Sequence, residues 1–270
     1  MYCGVDFSGA KDAGKKIWIA TLLQGGNQLR LESLRQAKDL PGGSSQRYSA
    51  LSALVASISH AQPGSVVGMD FPFSLPLRLL GTETWEDFIT TLGQRYDSPV
   101  GFRRLLRQRA NKPELRRETD KKARTPFSPY NLRLYKQTFF GIQDVLLPLI
   151  QSNSARILPM QQPAESVPSV VEVCPASTLK DKKAELYKHY KGKEDTARYN
   201  RECILRWLET DSLSAVSLSL GDRERIVDDN GGDALDSLIA ATAAFWASKD
   251  LLPKELQLNP LYQLEGYVYL

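Results

Sequence analysis

The sequence predicts an α/β protein with a mixed sheet, in which three antiparallel strands are followed by parallel strands and helices flank both faces. Three observations predict this class: alternating apolar segments open the chain, a continuous apolar run lies between helical segments, and an apolar helix comes near the end. With 270 residues, 42% of them hydrophobic, the chain is long enough for a large core. We expect one domain over 1–270 with a helical insertion at 77–152.

The N-terminal segments 2–8, 16–23 and 28–34 have the pattern of strands. Gly25-Gly26-Asn27 is typical of the turn of a hairpin, so these strands are expected to be antiparallel. Residues 48–58 then carry apolar side chains at helical spacing. The run 66–71 is apolar throughout, which indicates a strand buried on both faces in a parallel region of the sheet.

The remaining chain is mainly helical in pattern, with two further short strands. Pro148 is expected to kink or end the helix in which it lies. The predicted helices cover 85–94, 102–110, 132–147, 178–190, 196–208 and 233–248, and the predicted strands cover 170–174 and part of 266–270.

Charge is distributed unevenly along the chain. The net charge is only +4, yet residues 103–136 hold 12 Lys and Arg against 3 Asp and Glu. A basic segment of this kind neutralises the phosphates of a polyanion, and a solvated helical face that keeps the protein soluble gives the same pattern. Nucleic acid is therefore an expected partner, with this alternative open.

Composition argues against secretion and membrane spanning. The three cysteines are Cys3, Cys174 and Cys203, which are odd in number and far apart and predict free, reduced thiols. Met1-Tyr2 leads into a strand pattern without a basic leader, and no uncharged apolar run reaches the roughly 18 residues that span a bilayer. A cytoplasmic location is the expectation.

The chain repeats one phrase, Gly4-Val5-Asp6-Phe7 and Gly68-Met69-Asp70-Phe71, in which an aspartate ends an apolar run. If the two strands are parallel neighbours, Asp6 and Asp70 lie about 5 Å apart at the same edge of the sheet. Two buried carboxylates at that distance repel each other unless a cation lies between them. A divalent ion, Mg²⁺ or Mn²⁺, is the expected counter-charge, although each aspartate also has the setting of a turn cap.

Three further acidic residues have similar settings. Asp233 and Asp236 share one face at the start of the late helix, where small side chains allow close approach to the sheet; stabilising the helix dipole is their alternative role. Glu172 lies inside Val170-Val171-Glu172-Val173-Cys174, and alternation directs it either inward to the site or outward to solvent.

Other chemistries have little support. The two histidines, His60 and His189, do not form a zinc-binding or nucleophile-activating pattern. Residues 9–16 follow the phosphate-loop spacing until Lys16, which replaces the metal-binding hydroxyl, and a strand is predicted after them instead of a helix. A hairpin-like connection suits their glycines better.

Four motifs together resemble a family of domain-of-unknown-function proteins predicted to be RNase H-like nucleases. They are Gly4–Ala10, Met69–Phe73, Glu172–Pro175 and Asp233–Ala241, in the family's order and across most of the chain. The last motif also resembles the final helix of Holliday-junction resolvases. The resemblance implies an RNase H-like fold, two-metal phosphodiester hydrolysis, metal ligands Asp6, Asp70 and Asp236, and catalytic roles for Glu172 and Asp233. The resolvase pattern has glutamate where this chain has Asp70.

The leading hypothesis is thus a metal-dependent nuclease. Five basic side chains are expected to hold the nucleic-acid backbone: Arg116, Arg117, Lys121, Lys122 and Arg124. Phe127 and Tyr130 have two possible roles, stacking on unpaired bases or packing. The alternatives are an actin-like or sugar-kinase-like ATPase or phosphotransferase, and a non-catalytic nucleic-acid-binding or protein-binding module.

Overall fold

A computed structural model describes residues 1–26, 28–111, 114–182, 188–211 and 214–270. The described residues form a mixed sheet of short strands. The strands are β1 Tyr2–Asp6, β2 Trp18–Gly25, β3 Gln28–Gln36, β4 Val66–Met69, β5 Arg156–Leu158, β6 Ser169–Val173, β7 Val216–Ser217 and β8 Val268–Tyr269.

Helices occupy much of the remaining chain, and most of the segment 77–152. In order, the helices are α1 Arg47–Ser59, α2 Leu77–Leu80, α3 Trp85–Arg95, α4 Pro99–Ala110, α5 Glu118–Lys122, α6 Tyr135–Gly141, α7 Leu147–Gln151, α8 Pro175–Lys182, α9 Asp195–Thr210, α10 Leu220–Asp228, α11 Asp233–Ala247, α12 Lys254–Leu258 and α13 Tyr262–Glu265. A π-helical turn over Ile142–Leu146 joins α6 to α7. None of the helices within the described ranges has the length and apolar character needed to cross a membrane.

Strand β1 lies at the centre of the sheet. The strand order is β5-β6-β4-β1-β2-β3-β7, and β8 pairs with β6. Strands β1, β2 and β3 are antiparallel neighbours, whereas β4 and β6 continue parallel to β1 on its other side. The predicted succession of antiparallel and then parallel strands is confirmed. The carboxyl ends of β1, β4 and β6 therefore meet at one edge, where open α/β sheets bind ligands.

Helices cover both faces of the sheet. Helix α11 packs against β1, β2, β4 and β6, with α9 and α10 beside it. On the opposite face, α1, α3, α4 and the π-helical turn share one apolar cluster with the strands. Val5 and Met69 belong to this apolar cluster, on the face opposite α11. Because side chains alternate along a strand, the residues before and after Val5 and Met69 face α11.

Two glycines allow α11 to lie directly on the sheet. Gly4 and Gly68 are paired on β1 and β4. A Cβ atom at Gly4 would lie 2.0 Å from the backbone nitrogen of Ala241, and one at Gly68 would lie 2.7 Å from the carbonyl oxygen of Ala240. The repeated Gly-x-Asp phrase thus has a structural reason: the glycine admits the helix, and the aspartate two residues later lies on the same face.

Two helix predictions are met only in part. Pro148 does not end its helix, which continues to Gln151, but a π-helical turn over Ile142–Leu146 replaces regular α-helix just before it. The helix predicted over 178–190 is confirmed only in part. Helix α8 is described to Lys182, residues 183–187 and the hairpin residue Asn27 lie outside the described residues, and His189 has a left-handed backbone with φ of 58°.

Candidate metal centre and adjoining pocket

Asp6 and Asp70 lie side by side at the carboxyl ends of neighbouring parallel strands. Asp6 is the last residue of β1, and Asp70 directly follows β4. The N–H of Asp70 donates to the carbonyl oxygen of Val5 at 3.0 Å, which fixes the two ends against each other. Asp6 is only 8% exposed, and Asp70 is half-buried. The strand ends that carry these two carboxylates are therefore adjacent.

Helix α11 brings two further carboxylates to the same place. Asp236 is 3% exposed, and Asp233 lies one turn earlier, half-buried. The start of the helix is capped by another residue, because the carboxylate of Asp229 accepts the N–H of Ala234 at 2.8 Å. Asp233 and Asp236 are therefore not needed as caps, and their side chains face Asp6 across the small-residue contact with the sheet.

Tyr190 and Lys191 complete the centre. The hydroxyl of Tyr190 donates to Oδ1 of Asp236 at 2.7 Å, and Nζ of Lys191 lies 2.5 Å from Oδ2 of the same carboxylate. Nζ of Lys191 also lies 3.7 Å from Oδ1 of Asp233. The described residues place this one ammonium among four carboxylates, so the cluster is short of positive charge.

The shortage of positive charge shifts the pKa values of the cluster. Burial, together with repulsion from Asp236 and Asp233, raises the pKa of Asp6 well above its ordinary value. Burial and the charge of Asp236 raise the pKa of Asp70 to about 8. Burial lowers the pKa of Lys191, but Asp236 and Asp6 raise it by more, so the lysine stays charged. Protons or cations must supply the missing charge at neutral pH.

The fit of this centre to a divalent ion is mixed. Carboxylate oxygens are the preferred ligands of Mg²⁺ and Mn²⁺. The carboxylates of Asp6 and Asp70 accept no hydrogen bond from the described residues, whereas both oxygens of Asp236 are engaged by Tyr190 and Lys191. Across the described ranges, no group of three or more Asp, Glu, His or Cys side chains is arranged to hold an ion as it stands. An ion at this centre would find Asp6 and Asp70 without a hydrogen-bond donor from the described residues. Each oxygen of Asp236 would have one lone pair left beside its contact with Tyr190 or Lys191.

Glu172 lies on the other face of β6. Val171 and Val173 pack against α11, so Glu172 points toward the helical segment 77–152. Its carboxylate forms an ion pair with the guanidinium of Arg117 at 2.5 Å and accepts the N–H of Phe73 at 3.0 Å. The solvent-facing orientation is not observed, because Glu172 is 3% exposed and paired with the buried Arg117. Its side chain lines the same pocket as Asp70 and Asp236.

Arg117 is buried and fully bonded. It is 1% exposed, and its five N–H donors go to Asp120, Glu172 and the carbonyl oxygen of Glu265. Burial lowers the pKa of Arg117, but Asp120 and Glu172 raise it by more. The expected role of Arg117 in holding a nucleic-acid backbone does not agree with this position, because no donor is left for a phosphate.

The other four basic residues are exposed. Arg116 donates to the carbonyl oxygen of Pro126 at 3.1 Å, and Arg124 lies in a left-handed backbone conformation with φ of 54°. The remaining pair have acidic neighbours, since Lys121 pairs with Glu118 and Lys122 pairs with Glu255. Arg116 and Arg124 are therefore the members of this set whose charge is least compensated by the described residues.

A pocket of about 230 Å³ adjoins the carboxylates. Its lining combines charged and apolar side chains. The charged residues are Asp70, Arg117, Asp120, Glu172, Lys191 and Asp236. The apolar lining residues include Phe71, Pro72, Pro126, Phe127, Leu134 and Val173. Cys174 also lines the pocket, and burial raises the pKa of its thiol to about 12, so this thiol is neutral.

The resemblance of residues 9–16 to a phosphate loop has no counterpart in the backbone. The segment leads through a short 3-10 turn into strand β2, where a phosphate loop leads into a helix. The N–H of Gly14 donates to the carbonyl oxygen of Ser45 at 3.2 Å and is not free for a phosphate.

Sequence reasoning did not identify Tyr190, Lys191 or Asp120. Tyr190 and Lys191 lie in a polar, basic stretch of the sequence. The spacing of its residues gives no reason to choose Lys191 over the neighbouring lysines. Asp120 had a weak signal, because it lies three residues after Arg117 and this spacing favours an ion pair within a helix.

Comparison of the chain with protein-family models, with curated proteins and with solved structures gave no match. The function is therefore inferred from the site itself.

Proposed function

We propose that the protein is a metal-dependent nuclease that hydrolyses phosphodiester bonds of nucleic acid. The observation that carries this proposal is the convergence of Asp6, Asp70 and Asp236 from β1, β4 and α11 at the carboxyl edge of the sheet. Their burial and mutual repulsion are costly unless positive charge is bound, and divalent cations supply such charge.

Each residue has a defined task in this proposal. Asp6 and Asp70 offer oxygens without a hydrogen-bond donor from the described residues, and Asp236 is freed of its ion pair when Lys191 turns outward. Lys191 is 49% exposed at its side chain, so it has room to move and then pair with a substrate phosphate. Divalent ions held by these carboxylates would activate water and stabilise the leaving oxygen.

We further propose that the fold is RNase H-like. The strand order supports this, since three antiparallel strands occupy one side of the sheet and parallel strands occupy the other side of β1. The four motifs that resemble the predicted nuclease family include Gly4, Asp6 and Asp70, and Gly4 is one of the two glycines that admit α11 to the sheet.

Calorimetric titration with Mn²⁺, followed by a cleavage assay, tests this proposal. We expect the protein to bind Mn²⁺ and to cleave nucleic acid only when the ion is present. Asp70→Asn should weaken Mn²⁺ binding at least about tenfold, because it removes one of the two carboxylates without a hydrogen-bond donor from the described residues. Absence of Mn²⁺ binding by the unaltered protein would reject the proposal.

A non-catalytic nucleic-acid-binding module is the second candidate, and the position of Lys191 favours it. In that case the ammonium is the permanent counter-ion of Asp236 and Asp233. Lys191→Gln separates the two candidates, with Lys193→Gln as a matched control because Lys193 is exposed two residues away. Competition between the lysine and an ion predicts tighter Mn²⁺ binding in Lys191→Gln alone, whereas a permanent counter-ion predicts no Mn²⁺ binding and a less stable fold.

A further inference from the structure

The pocket beside the carboxylates suits a small planar group. Its volume of about 230 Å³ is several times the roughly 30 Å³ that one water molecule occupies in the liquid. It is smaller than the roughly 300–1,000 Å³ of sites that enclose drug-sized ligands. A single ring system fits this range, and a stretch of duplex does not.

Phe127 is an aromatic side chain of the pocket lining that a ligand can contact. Its ring is half-buried and lines the pocket, and the guanidinium carbon of Arg133 lies 5.2 Å from the ring centroid. Tyr130 has a packing role instead, since it is fully buried and its hydroxyl accepts the N–H of Leu115 at 2.5 Å. Of the two aromatic residues that the sequence left open between stacking and packing, Phe127 is the one that the structure places beside the site.

Arg117 lines the pocket but does not offer a phosphate-binding group, because all its donors are bonded to Asp120, Glu172 and Glu265. A phosphate is therefore expected beside Asp70 and Asp236, where cations are needed. The apolar lining side chains, Phe127 among them, remain for the uncharged part of the same nucleotide. A lining that combines carboxylates with apolar side chains suits the phosphate and the base of one nucleotide.

We propose that this pocket binds the unpaired base next to the scissile phosphate, with Phe127 as its stacking surface. This inference rests on the proposed nuclease function and adds the substrate class, which is single-stranded or locally unpaired nucleic acid. In a duplex the same base must first leave its stack and its pair, which weakens binding. Stacking on an aromatic ring strengthens the binding of an unpaired base and accepts any of the bases.

The test measures Mn²⁺ affinity and nucleic-acid affinity on the same proteins. Calorimetry gives the Mn²⁺ affinity without nucleic acid. Fluorescence anisotropy then compares a labelled single-stranded dodecamer with its duplex, for both DNA and RNA. This step uses Ca²⁺, another ion that carboxylates bind, in place of Mn²⁺, and a gel confirms that the strands are intact. The variants are Phe127→Leu, which keeps an apolar side chain without a ring, Phe127→Trp, which keeps the ring, and Tyr48→Leu, a control at an aromatic residue that is 84% exposed on α1.

We expect the unaltered protein to bind the single strand at least about tenfold more tightly than the duplex. Phe127→Leu should lose about tenfold in single-strand affinity with unchanged Mn²⁺ affinity, while Phe127→Trp and Tyr48→Leu bind as the unaltered protein does. Equal or tighter duplex binding, or full single-strand affinity in Phe127→Leu, overturns the inference and leaves the nuclease proposal standing if Mn²⁺ still binds. If the unaltered protein does not bind Mn²⁺, both the base-binding inference and the nuclease proposal are rejected. If Phe127→Leu does not fold, the test uses two other results. The inference then stands if the unaltered protein prefers the single strand and Phe127→Trp binds it with full affinity, and it is overturned if either result fails.

Discussion

Asp6 and Asp70 are held together by backbone geometry that neither side chain can relax. Each follows a strand residue that packs into the core, so the two Cα positions cannot separate unless a strand shifts. The resulting repulsion is relieved by a proton or by a cation. The protonation state of Asp70, whose pKa is raised to about 8 by burial and by Asp236, therefore links the stability of the metal-free protein to pH.

The first prediction concerns this pH dependence. A carboxyl whose pKa is higher in the folded state stabilises the fold most below its unfolded value near 3.9, and this contribution is lost as pH rises toward 8. In EDTA, the free energy of unfolding should therefore fall between pH 5 and pH 8, by on the order of 2 kcal/mol, since part of the Asp70 side chain is exposed and screened. Urea unfolding at several pH values measures it.

Asp70→Asn should flatten this profile, because an amide does not titrate. Asp39→Asn is the control, since Asp39 is an exposed carboxylate in a turn outside the site. A profile in Asp70→Asn that is as steep as that of the unaltered protein would assign the pH dependence to other groups.

The sequence was sufficient to predict the meeting of Asp6 and Asp70 but not the partners of the other acidic residues. The paired phrase carries its own geometry, because parallel neighbours bring matching positions together. The partners of Glu172 and Asp236 come from distant segments, Arg117 and Lys191. No local pattern distinguishes a lysine or arginine that pairs with a buried carboxylate from its basic neighbours.

At the scale of elements, the contact between α11 and the sheet positions the site. Ser237 and Ala241 lie so close to β1 that a single added methyl group at Gly4 has no space. Asp236 reaches the strand ends because of this contact. The helix is apolar on almost all sides, which is typical of a helix buried in a protein core.

Gly4→Ala is therefore predicted to displace α11. The added Cβ would lie 2.0 Å from a backbone nitrogen that cannot move without the helix, so we expect a loss of about 3 kcal/mol in unfolding free energy and weaker Mn²⁺ binding. Gly25→Ala is the matched control, because a Cβ there meets nothing within 4 Å. Chemical unfolding and calorimetry measure both effects. Equal stability of the two variants would show that the helix contact is not as tight as the structure has it.

The neighbouring residues Arg116 and Arg117 are predicted to differ in their contribution to stability. Arg117→Met leaves Glu172 and Asp120 buried without their partner, which should cost about 3–5 kcal/mol of stability. Arg116→Met changes an exposed residue and should alter stability by no more than about 0.5 kcal/mol. Thermal and urea unfolding of the two variants test this difference, and similar stabilities would mean that the buried ion pairs do not hold the helical segment to β6.

Elements with strong periodicity were predicted well, and short ones were not. The early strands, α1 and α11 follow directly from apolar spacing. Strand β7 has only two residues and β5 only three, which is too short for a periodic pattern, and their pairing with β3 and β6 is decided by the rest of the sheet. The π-helical turn before α7 was not predicted as such, although Pro148, two residues after it, was expected to disturb this helix.

For the whole molecule, the distribution of charge sets how nucleic acid would approach. The basic residues of 103–136 give a local excess within a chain of net charge +4, and the acidic centre lies beside them. A polyanion would therefore be attracted by the helical segment and repelled by the carboxylates unless cations are bound there. Binding should depend on salt through the exposed arginines and on divalent ions through the aspartates, which are two separable effects.

The last prediction isolates the first of these effects. Arg116→Ser with Arg124→Asn removes two exposed charges, and asparagine is chosen because position 124 has a φ of 54°, which asparagine tolerates. Each phosphate contact contributes about 0.7 to the slope of log affinity against log salt for a single strand, so the double variant should lower the slope by about 1.4. Arg30→Ser with Lys38→Asn changes net charge equally on β3 and the turn after it, and should leave the slope unchanged. Anisotropy titrations over a range of KCl concentrations give the slopes; the same decrease in both double variants would mean that net charge, and not a site formed by the helical segment, governs binding.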